Sequence, residues 1–391
     1  MIDSASSPPS LLDTATQACQ RVYGRTPQWH AVAPGRVNLM GDHTDYNEGL
    51  VLPIAIDRYT VAVAAERQSD AQLRVYSLAL EEEISLSLED LSRPHPQQWA
   101  RYVQGVIAEY QRLGVRCPAL DIVIASSVPA GGGLSSSAAL ELAVAHLLEA
   151  VSKQRVHSHD RIRACVQAER QMAGVPCGIM DQTVVDMAEA GHAMALDCAN
   201  QDATLIPLTL DNISLLVIHS GVSHALAEGA YAQRRLECEQ AAEGLGVSTL
   251  REVALGDIER LASKSLRKRV RHVVTENARV QQAVAAIQKK DWDGLGALMT
   301  GSHASLRDDY EVSCDELDRL VELACAERSV LGARMTGGGF GGCAVVLVER
   351  RGLERVAASL QEGYLREIGH KPACFHVTAS AGARALNARP S

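Results

Sequence analysis

The chain has 391 residues, of which 47% are hydrophobic and 22% are charged. This balance is ordinary for a globular protein, and at about 100–200 residues per domain the length predicts two or three domains. The net charge of −9 argues against general nucleic-acid binding, because affinity for the phosphate backbone needs a surplus of Lys and Arg.

The ten cysteines include no CxxC pair and no Cys/His cluster at zinc spacing. We therefore expect free thiols in a reducing compartment and no structural zinc site. No apolar run approaches the roughly 18 residues that a membrane span requires, and residues 1–30 lack an apolar signal segment. These features predict a cytoplasmic protein that binds neither membranes nor nucleic acid.

The first half of the chain is predicted to be rich in strands. It opens with an amphipathic helix whose apolar positions run from Leu11 to Val22 and which ends at Gly24. Apolar patterns predict strands at 51–66, 72–80, 83–88, 120–126, 191–197 and 213–219. Helical periodicity predicts one helix at 98–113 and two helices between residues 131 and 172.

The second half of the chain is predicted to be mostly helical. The expected helices are 231–243, 257–290, 291–308, 314–328 and 352–367, and the expected strands are 331–335, 343–349 and 373–379. Turn-prone residues at 199–212 form the candidate boundary between domains at 1–200 and 201–391. This mixed order of helices and strands indicates the α+β class.

A glycine-serine loop, PAGGGLSSS at 129–137, lies between the predicted strand LDIVIAS and a predicted helix that begins AALELA. Glycines let the backbone approach an anion, a helix N-terminus offers unpaired N–H groups, and serines add hydroxyls. The alternative is a flexible loop with serine caps. No Gly-Lys-Ser or Gly-Lys-Thr follows the glycines, so a Walker A loop is excluded.

Two further segments stand out. Residues 33–53, APGRVNLMGDHTDYNEGLVLP, concentrate polar groups that suit a sugar, although a well-capped loop is the alternative. Residues 336–342, TGGGFGG, contain a GxGxxG string. A β-branched run follows these glycines instead of a helix, so the segment is not a dinucleotide-binding loop.

In this order, GRVNLMGDHTDYN, PAGGGLSSSAALELA and MTGGGFGGCAVV resemble the three signature segments of the GHMP small-molecule kinases, and the first resembles that of the galactokinase family. The stretches 168–182, 230–241 and 302–321 also resemble galactokinases. The resemblance implies a two-domain α+β fold of mixed sheets and helices with the active site in the interdomain cleft. It further implies ATP-dependent phosphorylation of galactose at the C1 hydroxyl, which gives galactose 1-phosphate and ADP.

The same resemblance implies catalytic roles for Asp181, which matches the family's catalytic carboxylate, and for Arg36, which matches the arginine beside it. A cation keeps a neighbouring carboxylate ionised and can also offset negative charge on a transferring phosphoryl group. A buried structural ion pair is the alternative. Ser136 and Glu169 match the hydroxyl and carboxylate that hold Mg²⁺, an ion that takes few protein oxygens beside phosphates and water.

The remaining site residues follow from the resemblance. The sugar is expected at the 36–47 loop and its partners, namely Arg36, Asp42, His43, Asp45, Gly178, Asp181 and Tyr231. ATP is expected at Trp99, Tyr102, Gly131, Gly132, Gly133, Leu134, Ser135, Ser136 and Ser137. For Trp99 and Tyr102, which are three apart on one helix face, core packing is a close alternative. The glycines at 337–342 are expected to support the active site near the phosphates.

The chain departs from the family pattern at three positions. Asp42 stands where the family has Glu, Ser223 where it usually has a basic residue, and Ala230 where an acidic residue often precedes the tyrosine. Two alternatives to a galactokinase remain. One is a kinase for N-acetylgalactosamine, arabinose or a C6-modified galactose, and the other is a sensor that binds sugar and ATP without catalysis. We expect a monomer with no obligate protein partner.

Overall fold

The computed structural model describes residues 7–67, 71–223 and 227–386. The described strands are β1 (Trp29–Asn38), β2 (Leu50–Val51), β3 (Pro53–Glu66), β4 (Gln72–Ser77), β5 (Glu82–Ser87), β6 (Leu120–Ser126), β7 (His192–Asp197), β8 (Asp202–Pro207), β9 (Ile213–Ser223), β10 (Val330–Thr336), β11 (Gly341–Glu349), β12 (Ala373–Val377) and β13 (Arg384–Leu386). The described α-helices are α1 (Pro8–Tyr23), α2 (Gln98–Arg112), α3 (Ser136–Ser152), α4 (Ser158–Gln167), α5 (Met180–Met187), α6 (Ala227–Leu245), α7 (Lys264–Lys289), α8 (Trp292–Ser305), α9 (Asp315–Cys325) and α10 (Leu353–Ile368).

The largest sheet has six strands in the order β13-β1-β3-β6-β4-β5, and β4 and β6 are its parallel pair. Helix α1 packs on one face through Ala15 and Cys19, which meet Val61 and Val63 of β3. Helix α3 covers the other face against β1 and β3. Because both faces are covered, β3 and β6 are buried almost throughout.

A second sheet has the antiparallel order β10-β11-β9-β12, and a third has the order β2-β7-β8. Helices α9 and α10 bury one face of the second sheet with Leu320 and Leu360, which join Val346 of β11 in one core cluster. Helix α7 packs against β2 and β8 of the third sheet. Within the described ranges no helix is long and apolar enough to cross a membrane.

Several segments differ from the sequence prediction. Strands β1 and β13 were not predicted, and the helix predicted at 257–290 is an α-helix only over Lys264–Lys289. The 36–47 segment is not wholly a loop, because β1 continues through Asn38 by way of a register shift against β3 at Pro34/Gly35. A short helix, α5, was not predicted, and β8 lies inside the candidate boundary at 199–212. The division into domains 1–200 and 201–391 therefore stays a prediction, with the β7-β8 hairpin crossing its dividing line.

Candidate active site

A cavity of about 700 Å³ lies where the C-terminal end of β1, the N-termini of α3, α5 and α6, and residues 337–340 meet. The predicted catalytic and sugar residues that line it are Arg36, Asp42, His43, Asp45, Gly178, Asp181 and Tyr231. The predicted nucleotide and metal residues that line it are Tyr102, Gly131, Gly133, Ser136, Ser137 and Glu169. Residues from distant parts of the sequence thus share one cavity.

The centre of the cavity holds a bidentate ion pair between Arg36 and Asp181. Nε of Arg36 donates to Oδ1 of Asp181 at 2.9 Å, and Nη2 donates to Oδ2 at 3.0 Å. The Arg36 side chain is 5% exposed, whereas that of Asp181 is 26% exposed. The carboxylate therefore faces the cavity while the guanidinium holds it from behind, a planar geometry that Lys does not reproduce.

The phosphate loop, residues 131–137, fastens this ion pair in place. The backbone N–H of Arg36 donates to the Leu134 carbonyl at 3.0 Å, and Nη1 of Arg36 donates to the Gly133 carbonyl. Oγ of Ser135 donates to Oδ2 of Asp181 at 2.6 Å. Leu134 and Ser135 are buried and lie outside the described cavity lining, so they position the loop and the carboxylate.

On the sugar side, Asp45 packs directly against Gly178. A Cβ on Gly178 would lie 1.7 Å from Oδ2 of Asp45, so the position has no room for a side chain. Burial and, to a smaller extent, the like charges of Asp181 and Asp42 raise the pKa of Asp45 to about 6, against a backbone hydrogen bond from Tyr46 and the charge of Arg36. The chain thus places a second carboxylate near Asp181.

Substituting Gly178→Ala is expected to displace the Asp45 carboxylate and to raise KM for the sugar by about tenfold or more, with a smaller change in kcat. Gly229→Ala is the matched control, because Gly229 also lines the cavity and a Cβ there meets nothing within 4 Å. Steady-state kinetics measure both variants. Equal KM values for the two would contradict a binding role for Asp45.

His43 uses both ring nitrogens within the protein. Nε2 donates to the Gly338 carbonyl at 3.1 Å, so Nδ1 accepts from the Tyr46 hydroxyl at 2.8 Å. Burial and, to a smaller extent, the neighbouring His272 lower the pKa of His43 to about 3, so the ring is neutral. His43 lines the cavity with its ring and ties the 41–47 segment to the 337–340 loop. Its nitrogens are not available to a sugar hydroxyl.

An aromatic wall stands beside His43. The Tyr231 ring lies 5.4 Å from that of His43 and 5.5 Å from that of Tyr46, between ring centroids. The Tyr310 hydroxyl donates to Tyr46 at 2.7 Å, which frees the Tyr46 hydrogen for His43. Tyr231 is thus held by aromatic neighbours at the cavity wall, as a residue that packs against a sugar ring would be.

The third glycine segment lies against the phosphate loop. Gly337 has φ +84°, and a Cβ there would lie 2.6 Å from the Gly133 carbonyl oxygen. Oγ1 of Thr336 bonds both the backbone N–H and the carbonyl of Asn38 at 3.1 Å. Because this segment joins the phosphate loop to the end of β1, it supports the active site, as the resemblance implied.

Glu169, one of the two predicted Mg²⁺ ligands, lines the cavity from a π-helical turn, Ala168–Ala173, that continues α4. Its Oε2 accepts from Nε2 of Gln182 at 2.6 Å. Burial raises the pKa of Glu169 and Asp181 raises it further, against hydrogen bonds from Cys177, Ser137 and Gln182. In the described chain no Lys or Arg forms an ion pair with Glu169, so this carboxylate has room for a cation.

Behind Glu169 lies a second buried carboxyl group. Nε2 of Gln182 also donates to Oε2 of Glu141 at 3.0 Å, and Glu141 is fully buried. Burial raises the pKa of Glu141 well above its usual value, and the charge of Glu169 raises it further. The carboxyl group of Glu141 therefore resists ionisation, and it holds Gln182 from behind the site.

Glu141→Gln is expected to stabilise the metal-free protein at pH 8 relative to wild type. A carboxyl whose pKa is raised by folding loses stabilisation as pH rises above its unfolded pKa near 4.5, by up to about 1.4 kcal/mol per pH unit until the folded pKa is reached. Denaturant unfolding with EDTA at pH 5, 6.5 and 8 measures the difference, which should shrink toward low pH. A difference independent of pH would contradict a raised pKa of Glu141.

Of the two residues predicted to bind adenine, only one lies in the described cavity lining. Tyr102 lines the cavity, whereas Trp99 lies outside the described lining and donates from Nε1 to Oε2 of Glu82 at 3.0 Å. Gly132 is buried, and a Cβ there would lie 3.0 Å from Cδ2 of His219. For Trp99 the structure places the side chain against the core, so its role in adenine binding stays a prediction.

Several residues that line the cavity were not predicted from the sequence. They are Gly174, Val175, Pro176, Cys177, Met180, Gly229 and Ala232. Most of them flank Gly178 and Asp181, so the motif AERQMAGVPCGIMDQ was the available signal. Of the departures from the family pattern, Ala230 is half-buried beside Tyr231 in α6, and the Ser223 side chain lies outside the described residues.

Comparison with known sequences assigns three regions. Residues 18–66 match the galactokinase galactose-binding signature. Residues 101–189 match the GHMP kinases N terminal domain, and residues 283–365 match the GHMP kinases C terminal domain. With the cavity described above, these matches define the chain as a GHMP kinase.

Individual relatives identify the family within this class of kinases. Galactokinase of Canis lupus familiaris is 43% identical over 373 residues, which cover 92% of this chain and 94% of the relative. Galactokinase of Homo sapiens is 44% identical over 363 residues, which cover 90% and 92%. The crystal structure of Lactococcus lactis galactokinase complexed with galactose matches with a TM-score of 0.92 at 31% identity, and covers 96% of this chain and 100% of that one. The chain belongs to the galactokinase family, and the predicted α+β GHMP kinase fold is confirmed.

Proposed function

We propose that this chain transfers the γ-phosphoryl group of ATP to the C1 hydroxyl of galactose, giving galactose 1-phosphate and ADP. The observation that carries the proposal is the Arg36–Asp181 pair, which lies between the phosphate loop and the wall formed by Asp45 and Gly178. A carboxylate in this position meets a hydroxyl on one side and phosphates on the other. Membership of the galactokinase family supports the choice of substrates.

Asp181 orients the C1 hydroxyl and accepts its proton as the C1 oxygen attacks the γ-phosphorus in line. The bond from the γ-phosphorus to the bridging oxygen breaks, and ADP leaves with the electron pair. Arg36 holds Asp181 through two hydrogen bonds and offsets charge on the transferring group. Ser135 fixes the Asp181 carboxylate at 2.6 Å, so little reorganisation is needed when the proton moves.

The phosphates are proposed to lie on residues 131–137 and the N-terminus of α3, where backbone N–H groups and the helix dipole favour anions. Gly131, Gly133, Ser136 and Ser137 face the cavity there. Tyr102, with Trp99 behind it, is proposed to bound the adenine. His43 and Tyr231 are proposed to bound the sugar, with Asp42, Asp45 and Gly178 completing its wall.

Ser136 and Glu169 are proposed to hold Mg²⁺. The described residues contain no group of three or more His, Cys, Asp or Glu side chains that could bind a metal alone, which suits an ion held partly by nucleotide phosphates. The buried Glu169 carboxylate, which has no cationic partner in the described chain, fits such an ion. When bound, Mg²⁺ neutralises phosphate charge as the γ-phosphoryl group transfers.

Glu169→Gln is expected to raise the Mg²⁺ concentration for half-maximal activity by about tenfold or more, because the variant lacks an anionic oxygen ligand. A Mg²⁺ titration at saturating ATP and galactose measures it. Glu141→Gln is the matched control, since Glu141 bonds the same Gln182 but is absent from the described cavity lining. The metal assignment fails if both variants titrate like wild type.

The substrate assignment is tested by ADP release from Mg·ATP with galactose, glucose, 6-deoxygalactose, N-acetylgalactosamine, arabinose, mevalonate and homoserine. Rapid and selective turnover of galactose is the expected result. Turnover on another acceptor alone would keep the kinase mechanism and overturn the substrate. Sugar-dependent ATP binding without turnover would replace the enzyme by a sensor.

We also propose that the chain works in the cytoplasm as a monomer without an obligate partner. All ten cysteines are unpaired, which suits a reducing compartment. The proposed catalytic, sugar, nucleotide and metal residues all come from one chain, so catalysis does not require a second copy. Size-exclusion chromatography with light scattering tests the oligomeric state, and an active dimer that loses activity on dilution would contradict it.

A further inference from the structure

Asp42 is held from behind by two side chains that do not belong to the described cavity lining. Nδ2 of Asn38 donates to Oδ1 of Asp42 at 3.0 Å. Nη2 of Arg334, on β10, donates to Oδ2 of Asp42. Both carboxylate oxygens are therefore fixed by protein donors, and their remaining lone pairs are available toward the cavity.

Arg334 is fully buried, and Asp42 is its principal charged partner. The second carboxylate nearby, Glu276, lies 3.9 Å from Nη1 of Arg334, beyond hydrogen-bond distance. Glu276 accepts instead from the Gly41 backbone N–H at 2.9 Å, Oγ of Ser302 at 2.6 Å and Nε of Arg279 at 2.6 Å. Glu276 is thus already satisfied, and Nε and Nη1 of Arg334 have no hydrogen-bond partner in the described structure.

Burying a guanidinium whose donors are partly unused costs stability. We therefore expect Arg334 to serve a function through Asp42, the carboxylate to which it donates a hydrogen bond. Its contact with Asp42 fixes the direction of a carboxylate whose side chain is one methylene shorter than glutamate. The charge of Arg334 also opposes the burial that raises the pKa of Asp42. A carboxylate oxygen accepts hydrogen bonds, so Asp42 recognises a sugar hydroxyl as a donor.

We propose that Arg334 is a positioning residue for sugar specificity: it holds Asp42 as a fixed acceptor for one hydroxyl of the sugar. The inference rests on the proposed function, since it assigns a residue that selects the substrate of the same site. Arg334 is outside the described cavity lining, so it acts only through Asp42. The hydroxyl that donates to Asp42 is identified by the deoxy analogue that lacks it. For that analogue, substitution of Arg334 should change kcat/KM least.

The test compares wild type, Arg334→Met, Arg334→Lys and Asp42→Asn on galactose and its 2-, 3-, 4- and 6-deoxy analogues. Arg334→Met is expected to lower kcat/KM for galactose by about tenfold or more, mainly through KM, because a site built for a hydroxyl loses its discrimination when the acceptor is misplaced. For one deoxy analogue, Arg334→Met should lower kcat/KM much less than it does for galactose. Asp42→Asn should also have its smallest effect on kcat/KM for that same analogue. Arg334→Lys should restore part of the selectivity.

A merely structural role predicts a different pattern, namely a loss by the same factor on all five sugars, and that result would overturn the proposal. Assays are run below the melting temperature of each variant, measured by circular dichroism, because breaking a buried pair destabilises a fold. If Arg334→Met does not fold, Arg334→Lys is used for the test. The proposal is then contradicted if Arg334→Lys has the same sugar selectivity as wild type and Asp42→Asn loses activity by the same factor on all five sugars. Inactivity of wild type on galactose would instead be a failure of the proposed function.

Discussion

Asp181→Asn is expected to lower kcat by roughly 10²–10⁴-fold, with only a modest change in galactose binding. Asparagine keeps the size of the side chain but neither accepts the C1 proton nor pairs with both donors of Arg36. Steady-state kinetics give kcat, and isothermal titration with galactose gives the binding constant. Near-normal turnover would refute the assigned role of Asp181.

Ser135→Ala is the matched control for that variant. It removes the hydroxyl that bonds Oδ2 of Asp181 and leaves the carboxylate and Arg36 intact. We expect a loss of about 10–10²-fold, because one hydrogen bond to a charged group contributes about 1.5–3 kcal/mol. A loss as large as that of Asp181→Asn would mean that the orientation of the carboxylate, not its basicity, limits the reaction.

Arg36→Met is expected to lower kcat by about 10²–10³-fold, the range seen when one preorganised electrostatic donor is removed from a transition state. The variant loses both bonds to Asp181 and the bond to the Gly133 carbonyl, which links the catalytic pair to the phosphate loop. Arg36→Lys keeps a cation without the planar fork and should fall between wild type and Arg36→Met.

The double variant Arg36→Met/Asp181→Asn separates a catalytic unit from two independent residues. Groups that act together are strongly non-additive, so the double variant should lose little more activity than the worse single variant. Losses that multiply would contradict the coupling of Arg36 to Asp181. Thermal unfolding of all three proteins checks that the loss of activity is not a loss of fold.

The fold was predictable where local pattern and tertiary environment agree. The amphipathic helix ending at Gly24 and the strands at 53–66 and 120–126 are present as predicted. In each segment the spacing of apolar residues matches the positions that the fold buries. Strand β1 was not predicted, and its last residues were assigned to the 36–47 loop; Pro34 and Gly35 within it are residues that usually mark turns. Here they sit at a register shift, which lets the strand continue to Asn38.

Short elements escaped prediction for a different reason. Helix α5 has eight residues and follows the loop GVPCGI, so its pattern covers barely two turns. It nevertheless carries Asp181 in its first turn. Strand β8 is partly exposed, and its pairing with β7 decides its structure more than its composition does.

The site was predictable only as far as motifs reach. Arg36 and Asp181 are 145 residues apart, and resemblance alone joined them before the structure placed them in contact. Arg334 and Asp42 are 292 residues apart, and no sequence signal paired them. Glu141 lies on an alanine-rich helix face, where a glutamate is ordinarily assigned to solvent, yet it is fully buried beside Gln182.

The most direct test of the account is ³¹P and ¹H NMR of the products formed from Mg·ATP and galactose by wild type and by Asp181→Asn. The account predicts galactose phosphorylated at C1, with a phosphorus coupling to the anomeric proton and an equal amount of ADP, and almost no product from Asp181→Asn in the same time. Phosphate on another hydroxyl, or equal product from both proteins, would contradict anomeric transfer assisted by Asp181.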